Sequence, residues 1–204
     1  MTIDKQATGI RGLDAITGGG LPRGAATLVF GEAGAGKTVL LLQTLSNAVR
    51  AGAGKAVLVG FEEGPETLLR NAADFPWSPS DLVDDGLTLL DGRAHVRAVA
   101  TGDFQLDGLV AMLEDQITRA GVRLVALDGI DQLLSLLDDP VRRRQEVLKL
   151  CDLMIRHGVT GLLTAKVEGQ SRWSEAPYGF MLYAVDCVVH LARHQRLGAM
   201  TRSL

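Results

Sequence analysis

The sequence predicts an α/β fold, a mostly parallel twisted sheet with helices on both faces. Three observations predict it. Short apolar runs alternate with stretches of helical spacing. Those runs are continuously apolar, as in strands buried on both faces. Nine of the 24 glycines fall between Gly9 and Gly36, where a backbone that must turn sharply or approach a ligand needs them. At 204 residues the chain has room for one large domain. Its 47% apolar and 22% charged composition excludes a disordered chain.

The elements follow in order. Ala25-Ala-Thr-Leu-Val-Phe30 is an apolar run bounded by glycines and reads as a buried strand. Gly31–Gly36 is a loop. Lys37 to Arg50 carries Leu41, Leu42, Leu45, Ala48 and Val49 at helical spacing and stops at Gly52. Ala56–Phe61 is a second strand. Pro65 opens a helix to Ala73, with Glu66 in its dipole-favoured first turn. Leu87–Leu90 is a third strand. Residues 105–120 place Leu106, Leu109, Val110, Leu113 and Ile117 on one helical face. Val122–Leu127 is a strand ending in Asp128. Helices follow at 130–137 and 141–157, then strands at Val159–Ala165 and Cys187–Leu191. The polar stretch Glu168–Pro177 reads as a loop.

Several classes fall away. The longest apolar stretch, Tyr178–Ala192, is broken by Asp186 and His190 and is too short to span a bilayer, so no membrane association is expected. The N-terminus lacks the basic and apolar regions of a secretory signal. A net charge of −3 argues against bulk electrostatic binding of nucleic acid. Cys151 and Cys187 sit among apolar neighbours and read as reduced core thiols of a cytoplasmic protein.

The glycines acquire a purpose at Gly31-Glu-Ala-Gly-Ala-Gly-Lys-Thr38, which matches G-x-x-x-x-G-K-[ST] between a strand and a helix. Glycines let successive backbone N–H groups of Gly31, Glu32, Ala33, Gly34, Ala35 and Gly36 face one concavity that binds phosphate oxygens. The helix N-terminus adds partial positive charge. Lys37 reaches the outer phosphates of ATP, and the Thr38 hydroxyl is a ligand for Mg²⁺.

Two acidic strand ends complete the pattern. In a parallel sheet, ligands bind at the carboxyl ends of strands. Asp128 there either holds Mg²⁺ beside Thr38 or caps the next helix. Glu62 and Glu63 either activate a water in line with the γ-phosphate or are solvated loop charges before Pro65. Adjacent carboxylates on an extended chain face different directions, so one of the two does most of the orienting. Thr164 and Lys166 end a further strand near the site, placed to sense the γ-phosphate.

At this point the residues resemble a family. Ala7-Thr-Gly-Ile-Arg-Gly-Leu-Asp-Ala-Ile-Thr-Gly-Gly-Gly-Leu-Pro-Arg-Gly24 looks like the opening of the KaiC branch of RecA-like P-loop ATPases. Phe61-Glu62-Glu63 resembles the paired glutamates with which that family activates water. Leu68–Ala72, Phe104–Leu106, Val141–Arg143, Tyr178-Gly179 and Asp186 extend the similarity over nearly the whole chain, and it is nearest to the N-terminal ATPase domain of the family. The resemblance implies a Mg²⁺-dependent ATPase with Glu62 and Glu63 catalytic. It also implies a ring, usually a hexamer, with ATP between subunits, acting as a timing or signalling switch on a partner of KaiB type.

Two departures qualify it. In the family, a further strand and a Lys-x-Arg-Gly segment that serves the neighbouring subunit follow the place where this sequence reads Thr201-Arg-Ser-Leu204. The expectation is therefore one domain over 1–204 that stops before its last strand. Family members that phosphorylate themselves do so on Ser and Thr, whereas Phe180–Val185 offers only Tyr183. Ser/Thr kinase activity would then need a second domain. Gly92–Asp103 corresponds to a partner-docking loop, here short. Arg142-Arg-Arg144 reads as a solvated helix turn, and Trp173 as loop packing. The competing functions are a RecA- or RadA-type DNA-handling ATPase and a nucleotide-dependent assembly switch with little turnover.

Overall fold

A computed structural model describes residues 4–100, 106–166, 178–196 and 199–203. Its elements in chain order are β1 (Lys5–Gln6), α1 (Arg11–Ile16), β2 (Leu21–Pro22), β3 (Ala26–Gly31), α2 (Lys37–Arg50), β4 (Lys55–Gly60) and α3 (Pro65–Ala72). There follow β5 (Leu87–Asp91), α4 (Arg93–Ala100), α5 (Asp107–Thr118), β6 (Val122–Asp128), α6 (Ile130–Leu134), α7 (Pro140–His157), β7 (Thr160–Lys166), β8 (Cys187–Arg196) and β9 (Ala199–Ser203). Seven strands make one sheet in the order β5-β4-β6-β7-β3-β8-β9. Every pairing from β5 to β8 is parallel. Only β9 runs antiparallel, against β8.

The strands are apolar throughout because both faces are covered. Val57 and Val59 of β4 join Leu28, Phe30, Val125 and Leu127 in a core with α5, α6 and α7. Ala56 and Leu58, the alternate residues, join Val29, Leu124 and Leu162 in a second core with α2 and α3. Each fully buried Leu or Val contributes about 1.5–3 kcal/mol by leaving water. The predicted α/β architecture, with helices on both faces, is thus observed. Among the described residues no helix is long and apolar enough to cross a membrane. Cys151 is free and buried, and burial pushes its thiol up to about 11.

The glycine-rich opening is built around one carboxylate. Asp14 of α1 accepts from Thr8 N and Thr8 Oγ1 at 2.9 and 2.7 Å and from Gly9 N at 3.0 Å. Asn47 of α2 donates to the Thr8 carbonyl at 3.0 Å and so ties this hub to the helix behind the phosphate loop. Gly9 has φ +69°, and a Cβ there would lie 2.7 Å from Asn47 Nδ2. Asp14→Ala strands three donors. We expect it to cost about 2 kcal/mol, read as a Tm lower by about 4–8 °C in thermal unfolding.

The structure departs from the sequence reading in four places. Gly92–Asp103, expected as a loop, contains α4 from Arg93 to Ala100. Its start is capped by Asp91, whose Oδ1 accepts from Arg93 N at 3.0 Å, and its Ala-rich sequence suits a helix. The helix after Asp128 stops at Leu134 and continues as turns closed by Leu136 N to Leu133 O and Leu137 N to Leu134 O. Neither α1 nor the β1–β2 ribbon was signalled, because each is too short to show a period. β9 extends the sheet beyond Cys187–Leu191. The Glu168–Pro177 loop and its Trp173 lie outside the described residues.

Candidate functional site

The strand order assembles the site. The carboxyl ends of β3, β7, β6 and β4 lie side by side. Gly31 is in register with Lys166, and Gly60 with Asp128. The phosphate-loop motif, Lys166, Asp128 and Glu62-Glu63 therefore hang from four neighbouring strands, although they are up to 135 positions apart in sequence (166 − 31). They line one cleft of about 390 Å³.

Within the loop, the residues divide by what they offer. Ala33, Gly34, Gly36, Lys37 and Thr38 face the cleft. Gly34 and Gly36 adopt φ +73° and +101°, which an L side chain resists. α2 begins directly after Gly36 with no side chain capping it, so its first backbone donors are left for an anion. Gly31 and Glu32 contribute carbonyls rather than side chains, accepting from Lys37 Nζ at 2.8 and 3.0 Å. A Cβ on Gly31 would lie 2.3 Å from the Leu191 carbonyl oxygen. The Glu32 carboxylate turns outward to Arg193 at 3.5 Å. Ala35 is buried beneath the loop.

Burial lowers the pKa of Lys37, against the opposing pull of Asp131, Glu62 and Asp128. Thr38 Oγ1 donates to Asp128 Oδ2 at 2.8 Å. Thr164 Oγ1 donates to the other oxygen, Oδ1, at 2.7 Å and accepts from Gly129 N at 2.7 Å. Asp128 is thus gripped from β7 and from α2, and burial raises its pKa. Asp128 does not cap α6. The N-cap there is Gly129, at φ +80°.

Glu62 and Glu63 lie on the bend that follows β4 rather than on an extended strand, and their carboxylates find different partners. Glu62 Oε1 lies 2.7 Å from Lys166 Nζ and accepts from Gln132 Nε2 at 3.3 Å. A Cβ on Gly129 would sit 2.8 Å from Glu62 Cγ, so this glycine makes room for the glutamate. Glu63 Oε2 accepts from Asn71 of α3 at 3.0 Å. Both residues line the cleft.

Sequence reasoning missed Asp131, Gln132, Asn71 and Arg193. Asp131 is buried, its pKa raised chiefly by that burial, and its Oδ1 accepts from Lys166 N at 3.2 Å. Its only local signal was an acid in the first turn of the helix that follows Asp128, which the helix dipole alone would explain. Asn71 lay within the family-like stretch Leu68–Ala72 but nothing there marked it as a site residue, and Arg193 carried no local signal, because tertiary packing brings both to their partners.

The geometry combines a glycine-shaped anion cradle, a buried lysine, a hydroxyl–carboxylate pair and a carboxylate at the cleft wall. The comparisons with known proteins agree with it. The family model for the KaiC ATPase matches residues 6–204. Circadian clock protein KaiC2 of Synechocystis sp. is 32% identical over 207 aligned positions, 100% of this chain and 36% of its own length. The circadian clock oscillator protein KaiC of Parasynechococcus marenigrum is 34% identical over 168 positions, 81% of this chain and 33% of its own. The chain spans about a third of the length of these relatives. A family match over nearly its whole length, on a parallel sheet with the phosphate-loop motif at a strand end, shows that the chain belongs to the KaiC family of RecA-like ATPases.

Proposed function

We propose that the cleft binds Mg²⁺·ATP and hydrolyses it. What carries this reading is the contact of Thr38 Oγ1 with Asp128 at 2.8 Å, beside Lys37 and the uncapped start of α2. The donor set fits the group. Mg²⁺ is commonly held by one or two side chains together with substrate phosphates, and here one hydroxyl and one carboxylate stand ready. The cradle fits as well, since Gly34 and Gly36 leave the space that side chains would fill.

In this reading Thr38 and Asp128 would hold the metal, and Asp131 lines the same cleft and holds the backbone of Lys166. When bound, Mg²⁺ neutralises charge on the phosphate oxygens. Lys37 and the loop N–H groups bind the polyphosphate. Thr164 keeps Asp128 oriented. Glu62 orients a water and accepts its proton, and Glu63 supports it from the α3 side. Positioning and fixed charge then account for most of the rate.

The remaining readings follow the family. The domain assembles into a ring, usually of six copies, with ATP between subunits and cations supplied by the neighbour. Turnover serves as a timing or signalling switch for a protein partner of KaiB type. Any Ser/Thr kinase activity belongs to a second domain. The test is nucleotide binding by the unaltered protein, followed by phosphate release with and without Mg²⁺. Binding with Mg²⁺-dependent release is expected. Absence of nucleotide binding overturns the reading.

A further inference from the structure

A second cation stands in the cleft, and the mechanism above leaves it without a role. Lys166 closes β7, the strand between the phosphate-loop strand β3 and the Asp128 strand β6. Its backbone N is fixed by Asp131, while its ammonium reaches across to Glu62 Oε1 at 2.7 Å. Lys37, the other cleft cation, is buried and spends its ammonium on the carbonyls of Gly31 and Glu32. Of the two cations among the described residues that line the cleft, Lys166 is the more accessible, its side chain keeping 34% of its surface.

The partner matters as much as the lysine. The same oxygen of Glu62 that pairs with Lys166 also accepts from Gln132. Gly129 packs directly against the Glu62 stem. The side chain is therefore held toward β7, and its Oε1 is committed. A carboxylate so engaged is poorly placed to take a proton from water. A terminal phosphate offers more negative charge and more acceptors than one carboxylate. A lysine, compact in charge and flexible in stem, moves readily between two such anions.

We propose that Lys166 is shared between Glu62 and the terminal phosphate of a nucleoside triphosphate. It latches Glu62 in the nucleotide-free cleft and releases it when a triphosphate is bound. The inference rests on the nucleotide reading above. It makes Lys166 the residue of this chain that tells a triphosphate from a diphosphate. A diphosphate lacks the group that competes for the lysine and leaves the latch closed.

Equilibrium binding of ADP and of a non-hydrolysable ATP analogue tests this on the full chain. Four proteins are compared: the unaltered one, Lys166→Met, Glu62→Gln and the double variant. Lys166→Met is expected to lower triphosphate affinity about tenfold, the worth of one charge-assisted hydrogen bond, with ADP affinity within about twofold. Lys166→Arg restores the preference. Glu62→Gln is expected to tighten triphosphate binding more when Lys166 is present than in the Lys166→Met background. A purely structural ion pair would weaken both nucleotides alike. An unchanged triphosphate-to-diphosphate ratio in Lys166→Met, or an effect of Glu62→Gln that ignores Lys166, overturns the proposal while leaving the nucleotide site intact. Failure of the unaltered protein to bind either nucleotide overturns both.

Discussion

Lys37→Met is expected to lower affinity for both ATP and ADP by roughly 100-fold or more, since an ammonium on a polyphosphate makes charge-assisted hydrogen bonds of about 1.5–3 kcal/mol each. Methionine is the informative replacement because it keeps an apolar stem of similar length and removes the ammonium, its charge and its donors together. The loss differs in kind from that at Lys166, because Lys37 springs from the loop itself and serves diphosphate and triphosphate alike. The variant also leaves the carbonyls of Gly31 and Glu32 without their donor. Its thermal midpoint without nucleotide is therefore the control. Isothermal titration gives the affinities directly. The shift in unfolding midpoint gives them independently, since a ligand at about 100 times its Kd stabilises by about 2.7 kcal/mol. Unchanged ADP affinity in a folded variant would remove Lys37 from the binding machinery.

Glu62→Gln is expected to slow hydrolysis by about 10²–10⁴, the usual worth of a positioned general base. Nucleotide binding is retained. Glutamine keeps the shape against Gly129 but cannot accept a proton from water. Glu63→Gln is expected to cost far less, because Glu63 is turned to Asn71 on α3. The double variant should then be little slower than Glu62→Gln alone, as for residues acting as a unit. Single-turnover phosphate release separates chemistry from product release. Hydrolysis undiminished in the double variant would sink the assignment of both glutamates.

Much of this was legible because the signals are local. The phosphate loop is one contiguous motif, and continuous apolar runs such as Ala56–Phe61 mark strands wherever two faces are covered. Asp128 and Glu62 could be placed at strand ends, but not turned toward one another. Their mutual arrangement depends on β6 and β4 being neighbours, which periodicity does not encode. The Lys166–Glu62 pair spans 104 positions (166 − 62), and no local pattern announces a contact at that separation. α4 was hidden for a different reason. Its cap, Asp91, lies at the end of β5 and reads as a strand-terminating acid until the backbone shows it accepting from Arg93. The lead-in glycines were recognised as a family feature. Their cause emerged only with the Asp14 hub and the Asn47 contact.

The position of β7 has a consequence for how the protein comes into being. It is the last to be synthesised of the four strands that carry the site, yet it lies between β3 and β6. While a nascent chain lacks residues 160–166, the loop strand and the Asp128 strand have no shared neighbour to align them. Thr164 and Lys166 arrive with that same strand. However early the other three strands form, this chain's share of the cleft cannot be complete before residues 160–166 have been made.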